Sequence, residues 1–289
     1  MSALLQDRQR GYSLTVLGVL WLSPDALLLR MIGADALDLL GWRTGLSALV
    51  LLAFMFWRDG GQVWEKMKRQ GWRLAFLALL YGLNSYAFVA AIEHSSVADA
   101  LVIIASTPLI AAVMSYLILK EIVSLRTAIA IMIGAVGVGI TAYGGLSGST
   151  PFGMAMAALC ALMLAASFTL LRAWREVDPV ASIMLGSAGA AVFSFGFADP
   201  MVIEGASLFW AFVLGLILAP ISFALISIGP KYIPSAEVSL IMLLETLLGP
   251  LWVWAALGEV PAMTAILGGL TILLAVAITA SSAFRRSAS

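Results

Sequence analysis

Two carboxylates, Asp25 and Glu245, stand inside long apolar runs of the 289-residue chain. An ionised group at the centre of a membrane helix costs about 2.5–3.5 kcal/mol on insertion scales, so each is a candidate to bind a substrate ammonium or to carry a proton. The structural alternative for Asp25 is a pair with Arg43. Arg43 is itself a candidate to meet a substrate carboxylate, although its place near the start of an apolar run favours a headgroup contact. An amphipathic solute needs apolar area with a few polar anchors, and aromatic and hydroxyl residues supply both. Trp21 precedes Asp25 by four residues, on the same face of a continuous helix. Tyr81, Asn84 and Phe88 recur at helical spacing with Ser85 adjoining, and Ser106 and Thr107 precede Pro108, whose missing amide frees a carbonyl. Met163, Ser167, Phe168, Ser222, Phe223 and Trp252 are the corresponding candidates later in the chain. For any one aromatic, packing or lipid contact is the commoner explanation; the set gains weight from falling on paired helices.

Pro24, Pro108, Pro220 and Pro250 are expected to interrupt four of these helices, as bending points or as static kinks. Ala130, Gly134, Gly137 and Thr141 answer to Gly268, Ala275 and Thr279, small residues that let two helices approach closely as struts, within one molecule or between two. His94 falls in a loop, where a solvated imidazole is the simpler reading than a pH sensor. With one Cys, Cys160, and that one His, the chain has neither a disulfide framework nor a metal-ligand set, and no cofactor is expected.

The elements that must position these residues follow from composition. The chain is 62% hydrophobic and 11% charged, too little polar surface to coat a soluble globule of this size. It needs a lipid bilayer, and at roughly 20 residues per crossing it has room for about ten spans. Apolar runs place them near 12–33, 38–57, 72–92, 97–119 and 125–143, then 151–172, 179–198, 206–228, 235–256 and 262–281. The first run is too long for a signal-peptide core and has a partner later in the chain, so it is expected to stay in the mature protein. With both termini in the cytoplasm, fourteen Lys and Arg fall inside and only Arg30 and Arg43 outside, the bias expected of a bacterial-type inner membrane protein. Sixteen basic and sixteen acidic residues cancel, which argues against nucleic acid as a partner.

The chain also repeats itself. Residues 11–30, GYSLTVLGVLWLSPDALLLR, align without gaps on 153–172, GMAMAALCALMLAASFTLLR. Ala98, Asp99 and Glu121 match Ala236, Glu237 and Glu259 at a constant offset, as Val138, Ile140, Thr141 and Ala142 match Val276, Ile278, Thr279 and Ala280. The expected division is residues 1–145 and 146–289, each a five-helix unit. Five is odd, so the second unit enters the membrane from the opposite side. Inverted repeats give two packings of similar energy, which is how secondary transporters alternate access.

Two five-helix halves, with Pro108 thirteen residues before Glu121 and Glu245-Thr246 at the equivalent place before Glu259, resemble the EamA module of the drug/metabolite transporter superfamily. Trp21 and Ser23 in the first helix, Arg43 in the second, and the Ser95-Ser96-Val97-Ala98 and Pro234-Ser235-Ala236 entries also fit. Thr246 stands where many members carry Pro. The resemblance implies a ten-helix exporter of amino acids or related metabolites with its cavity between the halves, similar to YddG-type exporters of aromatic amino acids. Small aliphatic derivatives and hydrophobic drugs are the alternative cargoes. A cavity rich in aromatics would favour aromatic amino acids, whereas a narrow one lined by serine would argue against them. No nucleotide-binding Gly-Lys-Ser/Thr loop is present, so no ATPase subunit is expected, and the family implies a working monomer or loose dimer. A membrane-embedded enzyme lacks its nucleophile and base here, and a channel would want a ring of like groups.

Overall fold

A computed structural model describes residues 2–95, 97–143, 150–258 and 263–285. Among these the chain is helical with no strand: α1 (Ser2–Leu22), α2 (Asp25–Ile32), α3 (Ala36–Asp59), α4 (Val63–His94), α5 (Val97–Ile104), α6 (Thr107–Met114), α7 (Leu125–Tyr143), α8 (Pro151–Ala173), α9 (Pro179–Phe197), α10 (Gly205–Val213), α11 (Ala219–Ile228), α12 (Ser235–Leu257) and α13 (Met263–Arg285). Among the described residues, seven apolar helical stretches are long enough to cross a membrane. The longest, Ala36–His94, holds both α3 and α4. Shorter apolar helices over Leu125–Ile140 and Ile266–Ile278 lie within α7 and α13. The protein is a multi-pass membrane protein.

Helix ends follow local chemistry. Gly71 breaks α4 with φ 59° and ψ −141°, a conformation a Cβ would oppose, so the apolar part of that helix begins at Trp72 as the sequence suggests. Thr150 and Asp178 cap α8 and α9 by accepting the amides of Gly153 and Val180, each followed by Pro in the first turn.

The prolines act in three ways. Pro24 and Pro108 stand at true breaks: α1 ends at Leu22 and α2 starts at Asp25, and α5 and α6 are separated at Ala105–Ser106. Before Pro220 the helix is not cut but widens into a π-helical turn, Leu214–Leu218, which absorbs the missing amide while the chain continues into α11. The expected interruption at Pro250 is not made. Helix α12 runs unbroken through that position, with the proline ring itself outside the described side chains.

Packing comes in matched pairs. Exchanging the two halves of the repeat maps α1–α2 onto α8, α3 onto α9, α4 onto α10–α11, α5–α6 onto α12 and α7 onto α13. Under that exchange the α4–α8 contact becomes α11–α1, and the α6–α8 contact becomes α12–α1; all four occur. Helices α3 and α9 pack on each other, as do α7 and α13. Close approach explains the last pair: a Cβ on Gly137 would come within 2.8 Å of the Gly268 carbonyl oxygen. The small-residue faces of these two helices are therefore used inside the molecule. Thr141 and Thr279 fall outside the described side chains.

Candidate functional site

Three ionisable side chains meet in the interior from three elements. Asp25 opens α2, Arg43 lies in the third turn of α3 and Glu245 is mid-way along α12; they are 0%, 2% and 6% exposed. Arg43 Nη2 donates to Asp25 Oδ2 at 3.0 Å. Its guanidinium carbon stands 5.6 Å from the centres of both the Phe88 ring on α4 and the Phe223 ring on α11, cation–π distances in each case. Glu245 is close enough to interact electrostatically with Asp25 and Arg43. Asp25 is thus paired, and the expectation that Arg43 greets headgroups is corrected: a start two residues earlier than the apolar run suggests sets Arg43 deeper in α3.

The pairing leaves polar atoms over. Asp25 Oδ1, Arg43 Nε, Glu245 Oε1 and Ser167 Oγ are buried without a hydrogen-bond partner. Two carboxylate acceptors and one guanidinium donor therefore stand unsatisfied in one neighbourhood. Such groups are costly in a low-dielectric interior, where leaving one unmade loses about 1–3 kcal/mol, more for charged groups.

Several neighbours are satisfied. Tyr81 Oη and Ser227 Oγ are 2.7 Å apart, joining α4 to α11. Cys160 Sγ donates to Asn84 Oδ1 at 3.2 Å, joining α8 to α4. Ser222 spends its hydroxyl on the Leu218 carbonyl of its own helix. Beside Arg43 lies a cavity of about 10 Å³, room for roughly one water, lined by Thr44, Ser47, Tyr81, Asn84, Ser187 and Phe223 among others. The centre is closed in this conformation.

Other sequence candidates lie elsewhere. Trp21 and Asp25 do not share a face, because the break at Ser23–Pro24 resets the helical register; Trp21 is 47% exposed and Asp25 fully buried. Trp252, 45% exposed, donates its indole N–H to Ser23 Oγ at 2.8 Å and so ties α12 to that break. Met163 is half-buried against the cluster around Met55, Leu77 and Tyr81. Ser106 sits half-buried at the α5–α6 break, where its carbonyl accepts the amides of Leu109 and Ile110. His94 ends α4 rather than standing in a loop, its ring edge-on to Phe152.

A second polar cluster has no counterpart in the sequence reading. Glu237, in the first turn of α12, accepts from Arg8 Nη2 at 2.8 and 3.0 Å, from Tyr12 Oη at 2.5 Å and from Thr127 Oγ1 at 3.4 Å. Nearby, Arg172 Nε donates to both oxygens of Glu121. Arg8, Glu121, Thr127, Arg172 and Glu237 line a vestibule of about 780 Å³ on the face that carries Arg8. The available signal was the Asp99–Glu237 match between repeats, an acidic residue kept at the entry to a repeated helix. A further cavity of about 690 Å³ is lined by Arg30, Asp35, Glu93 and His94. Among the described residues no group of three His, Cys, Asp or Glu forms a metal site.

Comparison with known proteins fits this architecture. An uncharacterized transporter of Archaeoglobus fulgidus is 27% identical over 273 residues, covering 93% of this chain and 95% of that one. A crystal structure of a protein sharing 19% identity superposes with a TM-score of 0.78 over 93% of this chain and 98% of its own, a likeness of fold alone. The description of the EamA-like transporter family is matched twice, by residues 9–143 and again by 151–281. With both halves matched, the chain belongs to the EamA-like transporter family of the drug/metabolite transporter superfamily and is a membrane transporter.

Proposed function

We propose that this transporter is a secondary exporter of small α-amino acids, aliphatic ones ahead of aromatic ones because the cavity beside Arg43 is narrow and lined by Ser47, Ser85 and Ser187, working by alternating access through the Asp25–Arg43–Glu245 centre. The reading takes the chain as ten spans in two inverted halves, 1–145 and 146–289, with both termini in the cytoplasm of a bacterial-type inner membrane. It acts without an ATPase subunit, as a monomer or loose dimer.

The observation that carries this reading is the set of unpartnered atoms. An α-amino acid presents a carboxylate that accepts from Arg43 Nε and an ammonium that donates to Asp25 Oδ1 and Glu245 Oε1, so one ligand answers all three. Serine, threonine and asparagine around Arg43 offer further anchors, while Phe88, Phe223 and Tyr81 offer apolar area. The present cavity is far smaller than the roughly 300–1,000 Å³ of ordinary ligand pockets, so loading requires the helices around it to part.

The test is uptake of radiolabelled aromatic and small aliphatic amino acids into proteoliposomes, comparing wild type with Glu245→Gln at symmetric pH and under an imposed pH gradient. Saturable uptake, with only the gradient response altered in the variant, supports amino-acid transport with Glu245 as the coupling group. Absence of saturable uptake of either class removes the amino-acid assignment and leaves a transporter of other metabolites.

A further inference from the structure

Between the large vestibule and the closed centre, hydroxyls from three helices meet. Ser115, where α6 passes into the π-helical turn Ser115–Leu119, faces Ser235 at the start of α12 with 2.6 Å between the oxygens. Thr169 of α8 donates to the same Ser235 oxygen at 3.4 Å. All three are buried, at 3%, 0% and 0% exposure. Ser115 also lines the vestibule, together with Pro234 and Ala236 on either side of Ser235 and Arg172 one helical turn from Thr169. Ser115 thus forms part of the vestibule floor, with Ser235 and Thr169 bonded together behind it. Glu245 lies ten residues further along α12, roughly 15 Å at about 1.5 Å per residue.

The vestibule walls are held differently. Arg8 and Tyr12 bind α1 to α12 through Glu237, and Arg172 binds α8 to Glu121 just beyond the π-helical turn. Those contacts are charge-assisted, whereas the floor contacts are between neutral hydroxyls, the weaker kind. Hydroxyls parted from one another can turn to water or to a passing polar solute, and Arg172, which also donates to the Pro230 and Ile233 carbonyls ahead of α12, keeps its Glu121 partner as the contact opens. The π-helical turn beside Ser115 supplies backbone slack on one side of the contact.

We propose that Ser115, Ser235 and Thr169 are the thin gate between the Arg8-side vestibule and the central site, and that solute crosses when Ser115 and Thr169 separate from Ser235 while the flanking ion pairs stay made. The proposal rests on the centre being the solute site, and its test needs no transported substrate. Cys160 is the chain's one cysteine; it is buried beside the centre, bonded to Asn84 and close enough to interact with Arg43 and Glu245. It serves as a built-in reporter of access.

The full chain carrying Ser115→Cys and Ser235→Cys is placed in vesicles with the Arg8 face outward, verified by an N-terminal tag. Labelling of Cys160 by a membrane-impermeant maleimide is followed by mass spectrometry of its peptide, before and after oxidation of the engineered pair. The expected result is ready disulfide formation and a several-fold fall in Cys160 labelling, restored when reductant is applied before the maleimide. Three results overturn the gate: no disulfide, no Cys160 labelling before oxidation, or labelling that the disulfide leaves unchanged. Amino-acid uptake is measured in parallel, so a gate that holds with no amino-acid transport removes the substrate assignment and keeps the gate.

Discussion

Glu237 and Glu245 sit on one helix, roughly 12 Å apart along its axis at about 1.5 Å per residue, and both are at least nine-tenths buried. Glu237 is saturated by Arg8, Tyr12 and Thr127. Glu245 keeps an oxygen with no partner and shares one guanidinium's field with Asp25. Burial of a carboxylate therefore does not by itself distinguish structure from function. A group whose bonds are all made within the fold stabilises it, whereas one left open at a junction of helices is a cost that a ligand or proton can relieve.

The sharpest way to break that comparison is at the cation between the two carboxylates of the centre. Arg43→Met leaves Asp25, fully buried, without its donor, and removing one partner of a buried ion pair costs about 3–5 kcal/mol. A large drop in thermal unfolding temperature in detergent is expected, with much of it recovered by adding Asp25→Asn. An Arg43→Met protein as stable as wild type would mean that the pair does not hold α2 to α3.

Next in size are the two glutamates themselves. Glu237→Ala removes an ion pair and a tyrosine hydrogen bond and is expected to cost roughly 1.5–3 kcal/mol per charge-assisted bond, discounted because Arg8 is part-exposed. Glu245→Gln keeps the shape of a buried carboxyl group that no hydrogen bond fully satisfies, so unfolding temperature is expected to hold or rise while the response of uptake to a pH gradient is lost. Equal destabilisation in the two variants would erase the distinction between them.

The repeat and most helix boundaries were legible because apolar length is a one-dimensional property. Pro24 and Pro108 were legible as breaks for the same reason: a missing amide acts locally. What the break does to Trp21 was not, since a two-residue turn rotates everything after it, and the indole and Asp25 then face different surroundings. The π-helical turn before Pro220 and the unbroken α12 were hidden because neighbouring helices decide whether a proline cuts, widens or merely bends its helix. Asp25 and Glu245 were each visible as costly charges, whereas Arg43 read as a headgroup contact. Their meeting, and the approach of Phe88 and Phe223 to Arg43, depend on the packing of α2 on α12 and of α3 on α4 and α11, which no local pattern encodes.

The smallest effects sharpen the contrast within α7. Gly137 and Gly139 lie two residues apart and look alike in sequence, yet a Cβ on Gly137 would meet the Gly268 carbonyl oxygen at 2.8 Å, and one on Gly139 would meet nothing within 4 Å. Gly137→Ala therefore forces α7 away from α13 and is expected to cost about 1–3 kcal/mol, the usual range for overpacking. Gly139→Ala removes only the entropy penalty of glycine in a helix, a gain of about 0.5–1 kcal/mol. Unfolding temperatures measured side by side decide it. Opposite signs mean that the α7–α13 seam is packed too tightly at Gly137 to take one more methyl group; a shared sign would mean that the seam yields there and is not a fixed strut.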